Sequence, residues 1–348
     1  MADEKPYPAP PPLTTRRYAQ QTFTTDMSPT STTARVDSGF ASAFAALCLG
    51  AVAMGISPIF VRFASADMGG APADVGPFAS AFWRVSLCLP LLYAWMRIEE
   101  KRAPADAPKV RFSRASIVGG IVFAGDLFFW HLAILKTTVA NATFFATMAP
   151  LFVVLTVWLV FRQQVSRGTF MGLALCLLGG AALIGQSLHA DPARIEGDLY
   201  GVATAFFFGM YFLAASKARK TAGAARVTFE AGLITSAILL VIAVLFDTRV
   251  IPQTAQGIAA LLAMSYVSHA GGQGLLAIAL GRLPATFSSL VIFLEAIAAA
   301  LFGWAILGEE LTLVQSLGGA LILFGIWIAR PKDGQTDGPR SKHPSNGE

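Results

Sequence analysis

The chain has 348 residues, 55% of them hydrophobic and 14% charged, and its mean hydropathy is +0.59. A soluble domain carries about 25% charged residues, so a soluble enzyme or binding module is excluded and a bilayer is the expected solvent. The net charge of +5 and the pI of about 9.2 would also suit nucleic acid, but the placement of the cations excludes that partner, as the order of the segments shows.

Residues 1–38 are polar and rich in Pro, Thr and Ser, with no apolar run of the kind a cleavable signal peptide needs, and are expected to be a disordered tail. Ten apolar runs follow: 39–61, 77–96, 115–135, 139–161, 168–188, 199–216, 231–246, 258–280, 284–307 and 311–329. Most reach the length of about 18 residues that a spanning helix requires, and a second polar tail, 331–348, closes the chain. If residue 1 faces the cytoplasm, the inner segments hold 21 Lys and Arg and the outer loops only Arg62, Lys136, Arg194 and Arg249. That asymmetry predicts a plasma-membrane protein with both termini cytoplasmic. Cys48, Cys88 and Cys176 all fall within spans, which argues against a disulfide framework.

A shift of 146 residues lays the first half over the second. Trp158 meets Trp304, Gly172 meets Gly318, Gly179 meets Gly325, and Lys136 meets Arg282. The expected fold is therefore an all-α membrane protein of ten transmembrane helices in two five-helix repeats, 39–188 and 197–330. Because five is odd, the second repeat must enter the membrane from the opposite side. Inverted repeats of this kind are characteristic of secondary transporters, with the substrate near the midplane where the halves meet.

Three stretches carry a resemblance: "FWR" (82–84), "TTVANATFFATMAPLF" (137–152) and "LEAIAAALFGWAILGEELT" (294–312). With the five-plus-five arrangement, they make the chain resemble the drug/metabolite transporter superfamily, EamA type, over roughly residues 40–330. The resemblance implies that spans 1–4 and 6–9 surround the pathway and that spans 5 and 10 are peripheral. Two positions depart from the family pattern. Ala296 stands where a Pro usually follows the acid, and Gln163 and Gln164 stand where Glu is usual after span 4, although Glu309 and Glu310 keep it in the second repeat.

An ionised side chain at mid-bilayer costs about 2.5–3.5 kcal/mol, so it normally faces a cavity or a partner. The candidates are Arg84, Asp126, His131, His269 and Glu295. Asp126, His269 and Glu295 lie near the midplane and Arg84 somewhat outward of it; His131, close to Lys136, is expected at the outer interface. Arg84 suits a substrate carboxylate or a structural acid. Asp126 and Glu295 can accept a proton or a cationic amine, or hydrogen-bond across helices. His269, beside "AGGQG" (270–274), which lets helices approach closely or unwind locally, suits gating, proton relay or a structural imidazole. Trp130 and Tyr211, with Phe128, Phe129 and Tyr266, could line a pocket or face lipid. Pro58, Pro90 and Pro150 are expected to kink their spans. Gly168, Gly172, Gly179 and Gly180 are expected to let helices pack closely.

These features favour a non-enzymatic secondary transporter of small metabolites, drug-like or amino-acid-like solutes, working by efflux and alternating access, as a monomer or homodimer, with protons as the candidate coupling ion. The alternative is a membrane enzyme acting on a lipid-linked substrate. It would need clustered nucleophiles or metal ligands at one interface, and the sequence has neither an HExxH nor a CxxC cluster. No cofactor or metal is expected.

Overall fold

The computed structural model describes residues 32–65, 74–104, 110–137, 139–184, 195–308 and 310–331. The outer parts of both expected tails lie outside these residues, as do Asp191, Arg194 and Glu309. Among the described residues ten spans follow one another, and seven of them have helices long and apolar enough to cross a membrane.

Helix α1 comprises Thr32–Gly55 and Ser57–Ser65, and α2 comprises Pro77–Ser86 and Leu89–Arg102. Helix α3 is Arg114–Lys136. Helix α4 comprises Val139–Thr147 and Ala149–Leu155 and ends in a π-helical turn, Thr156–Val160. Helix α5 is Arg167–Ile184, α6 is Ile195–Ala218 and α7 is Ala224–Phe246. Helix α8 comprises Ala255–Ala263, a π-helical stretch Met264–Gln273, and Gly274–Leu280. Helix α9 comprises Ala285–Val291 and Leu294–Leu307, and α10 is Leu313–Ala329. Helix α1 starts at Thr32, ahead of the expected boundary at 39. Hydropathy marks where side chains turn apolar, and the backbone ladder begins a turn or two earlier.

Three of the breaks follow from proline. Pro58, Pro90 and Pro150 each stand second in the segment that restarts after a break. Each lacks an N–H and crowds the carbonyl four residues back, so the helix cannot run through. Helix α9 breaks at Ile292–Phe293 without a proline. There Ile292, Phe293, Glu295 and Ala296 all donate to carbonyls three residues back, at 2.8–3.2 Å, which tightens the turn and places Glu295 on it. Gly308, with φ of +68°, ends α9 in the left-handed conformation that glycine adopts without strain.

The inverted repeat is visible in the packing. A Cβ at Gly172 would stand 2.5 Å from the Gly325 carbonyl oxygen, and one at Gly179 would stand 2.6 Å from that of Gly318. Exchanging Gly172 with Gly318 and Gly179 with Gly325 turns one contact into the other. The antiparallel pair α5–α10 therefore lies on a pseudo-two-fold axis, and at its centre the Cys176 thiol meets the Ile322 carbonyl, its own repeat mate, at 3.6 Å. The same exchange maps the other neighbours. Helix α3 runs along α6 as α8 runs along α1, α4 packs on α6 as α9 packs on α1, and α2 pairs with its counterpart α7.

Candidate substrate cavity between the two repeats

The breaks in α1, α4 and α9 cluster around one small cavity of about 60 Å³. Met54, Ser57 and Pro58 come from the α1 break, Thr143, Ala146 and Thr147 from α4 just before its break, and Ile292 and Glu295 from the α9 break. Helix α2 adds Arg84 and α3 adds Phe123, Asp126, Leu127 and Trp130. Helix α6 adds Thr204 and Phe208, and α8 adds Gln273. Both repeats line it, and α5, α7 and α10 do not. Its volume admits a few waters, at about 30 Å³ of liquid volume each. A metabolite would therefore need the walls to part before it could be held there.

Four of the candidate binding or coupling residues meet here: Arg84, Asp126, Trp130 and Glu295. One cation stands with two carboxylates, all three buried or nearly so. Among the described residues no ion pair within 4.0 Å joins Arg84 to either acid. The Arg84 Nε is buried without a hydrogen-bond partner. A buried guanidinium with an unmade hydrogen bond is costly, and an anionic or hydrogen-bonding guest would relieve that cost.

Tyr211 and His269 do not line the cavity; they back it. Both rings pack on Phe123, at 4.6 and 5.6 Å between centroids. Phe123 and His269 are repeat mates under the 146-residue shift, so this stack crosses the pseudo-two-fold axis. Neither imidazole nitrogen of His269 has a partner, and it sits on the π-helical stretch of α8.

His131 departs from expectation. It is 2% exposed rather than interfacial, and its Nδ1 lies 2.7 Å from the Leu127 carbonyl of its own helix. Position along a helix sets depth, but the face sets burial, and His131 shares the inward face with Leu127 and Trp130. Phe129 stacks on Phe207 of α6, and Tyr266 is 41% exposed with its hydroxyl donating to the Leu87 carbonyl, so neither lines the cavity.

Sequence reasoning overlooked Ser57, Thr143, Thr147, Thr204 and Gln273. Their only signal was a polar side chain in an apolar span, near a helix break for Ser57, Thr143 and Thr147 but in the middle of unbroken α6 for Thr204. It also left Glu230 outside a span, whereas Glu230 is buried on α7 and accepts from Arg226 at 3.2 Å.

Residues 41–185 match the EamA-like transporter family, and residues 195–330 match it a second time. The chain belongs to the EamA-like transporter family. It is similar to two proteins of Archaeoglobus fulgidus, each called an uncharacterized transporter. One is 28% identical over 57% of this chain and 69% of the relative, and the other is 22% identical over 75% and 90%. A solved crystal structure at 18% identity superposes with a TM-score of 0.66 over 84% of this chain and 96% of its own, which shows the shared fold. As a member of this family the protein is a multi-pass membrane transporter rather than an enzyme.

Proposed function

We propose that the protein is a secondary transporter that exports small metabolites, amino-acid-like or drug-like solutes by alternating access, with Arg84, Asp126 and Glu295 as its polar binding groups. The observation that carries this reading is the cavity itself. It lies between two inverted repeats, is lined by helix breaks from both, and holds one cation with two acids. A solute bearing a carboxylate and an amine would satisfy Arg84 with the one and an acid with the other. Trp130, Phe123 and Phe208 would pack its apolar part. The second acid is then left to carry a proton, so coupling is assigned to Asp126 or Glu295 rather than to a histidine. The cation asymmetry along the chain supports an inner-membrane orientation with both termini in the cytoplasm.

The test is a thermal-shift screen of the purified protein against amino acids, nucleosides, vitamins and amphipathic cations. A ligand of the folded state raises stability by about 2.7 kcal/mol at a hundred times its Kd. Zwitterionic or cationic amphipathic compounds are expected to shift the melting point, and proteoliposomes should take up the same compounds. Stabilisation by uncharged nucleosides alone would contradict the assignment of the three charged groups.

A further inference from the structure

Helices α2 and α7 start in the same unusual way. The residue before each first turn is glycine, Gly76 and Gly223, with an extended backbone and no side chain to cap the helix. Neither first turn contains an acidic residue. The leading amides of a helix have no partner within it and carry the positive end of its dipole, so each start requires an acceptor from elsewhere.

In both cases the acceptor is a carboxylate from the other repeat. Glu99, near the end of α2, accepts from the Ala224 and Ala225 amides of α7, both at 3.0 Å. Asp247, just past the end of α7, accepts from the Ala79 amide of α2 at 2.5 Å. The glycines make room, because a Cβ at Gly223 would lie 2.1 Å from the Glu99 carboxylate and one at Gly76 would lie 2.2 Å from that of Asp247. The two arrangements are images of each other. The capped glycines are 147 positions apart (223 − 76) and the carboxylates 148 (247 − 99), close to the repeat shift. Since α2 and α7 are antiparallel, the Glu99 cap sits at the membrane face that bears the termini and the Asp247 cap at the opposite face.

We propose that Glu99 and Asp247 are the two gating residues of the transport cycle, each holding one face shut by capping the opposing repeat's helix. This rests on the alternating-access reading above. Opening a face by rocking one repeat against the other separates the ends of α2 and α7 there and breaks that face's cap. The bond suits the task. It is charge-assisted when made, yet it lies at the helix ends, where water can take over the amides once it opens. Both caps are made in this structure. The Glu99 cap is reinforced by an Arg226–Glu100 ion pair, and the Asp247 cap by bonds from Gly76 N to the Arg249 carbonyl at 2.8 Å and from Trp83 Nε1 to the Val250 carbonyl at 2.7 Å.

The experiment places a cysteine at the cavity-lining Ala146 in full-length protein whose Cys48, Cys88 and Cys176 are replaced by Ala. Its modification rate is measured with a membrane-impermeant thiol reagent added from one face or the other. Glu99→Ala should raise the rate from the termini-bearing face several-fold and lower it from the other, and Asp247→Ala should do the reverse. Local folding damage is controlled with Glu99→Ala/Gly223→Ser and Asp247→Ala/Gly76→Ser. There the new serine caps its own helix and restores the melting temperature without bridging the repeats, so the labelling bias should persist. If neither carboxylate variant changes the ratio of rates, or the local cap returns it to the parent value, the gating assignment is overturned. A parent that labels from one face only overturns alternating access as well. An unchanged ratio in a parent that labels from both faces removes the gates alone.

Discussion

At the residue scale, Arg84 is the position on which recognition turns. It is 7% exposed, within the membrane and beside two acids it does not pair with. Truncating one member of the buried charged contact that Arg84 would make with a substrate carboxylate costs about 2–5 kcal/mol. Arg84→Ala is therefore expected to weaken transport at least tenfold in proteoliposomes, at about 1.4 kcal/mol per tenfold. Arg84→Lys should rescue only part of this, because the ammonium lacks the planar fork. Full activity in Arg84→Ala would remove it from the site. In the same vesicles, substrate-driven proton flux should fail in Asp126→Asn or Glu295→Gln and survive in His269→Gln. The opposite pattern would transfer coupling to the histidine. The charged members of this site were legible from sequence, because a charge in an apolar span carries its own cost and so announces a role. The hydroxyls were not, since Thr143, Thr147 and Thr204 could equally satisfy a backbone carbonyl, as Thr204 does with Tyr200 at 3.1 Å. Which face His131 would present was equally hidden, because apart from Asp126 the span around it is apolar on all sides.

At the scale of helices, the glycines divide into those that set the interface and those that merely sit in it. Gly172 and Gly179 abut the backbone of α10, so a side chain at either must push two helices apart. Gly119 has only the Ala214 Cβ nearby, at an ordinary 3.7 Å. Gly172→Val is therefore expected to lower the melting temperature in detergent by several degrees, since overpacking costs about 1–3 kcal/mol. Gly119→Ala should leave it unchanged or raise it, since alanine is the better helix former by about 1 kcal/mol. A melting temperature for Gly172→Val equal to wild type would mean that α5 and α10 are not the fixed seam of the fold. The sequence showed proline breaks at Pro58, Pro90 and Pro150 and paired glycines in spans 5 and 10. It gave no sign of the break at Ile292–Phe293, and it marked only the "AGGQG" part of the π-helical stretch over Met264–Gln273 as a place of local unwinding. Neither contains a proline.

At the scale of the whole molecule, ten spans and a repeat shift of 146 residues were enough to foresee two inverted units, because an odd number of helices leaves no other way to duplicate. What could not be foreseen was which state the protein occupies. The size of the cavity and the two carboxylate caps depend on the relative position of the repeats, a tertiary quantity that periodicity does not encode. Alternating access requires that the cavity between the repeats face each side in turn. The most direct measurement replaces cavity-lining Thr147 with Cys and follows its modification by impermeant reagents from each face, with and without a ligand found by the thermal-shift screen. Reaction from both faces, slowed from both by the ligand, is the predicted result. Reaction from one face alone, or none of it slowed by the ligand, would contradict a substrate cavity that alternates between the two sides of the membrane.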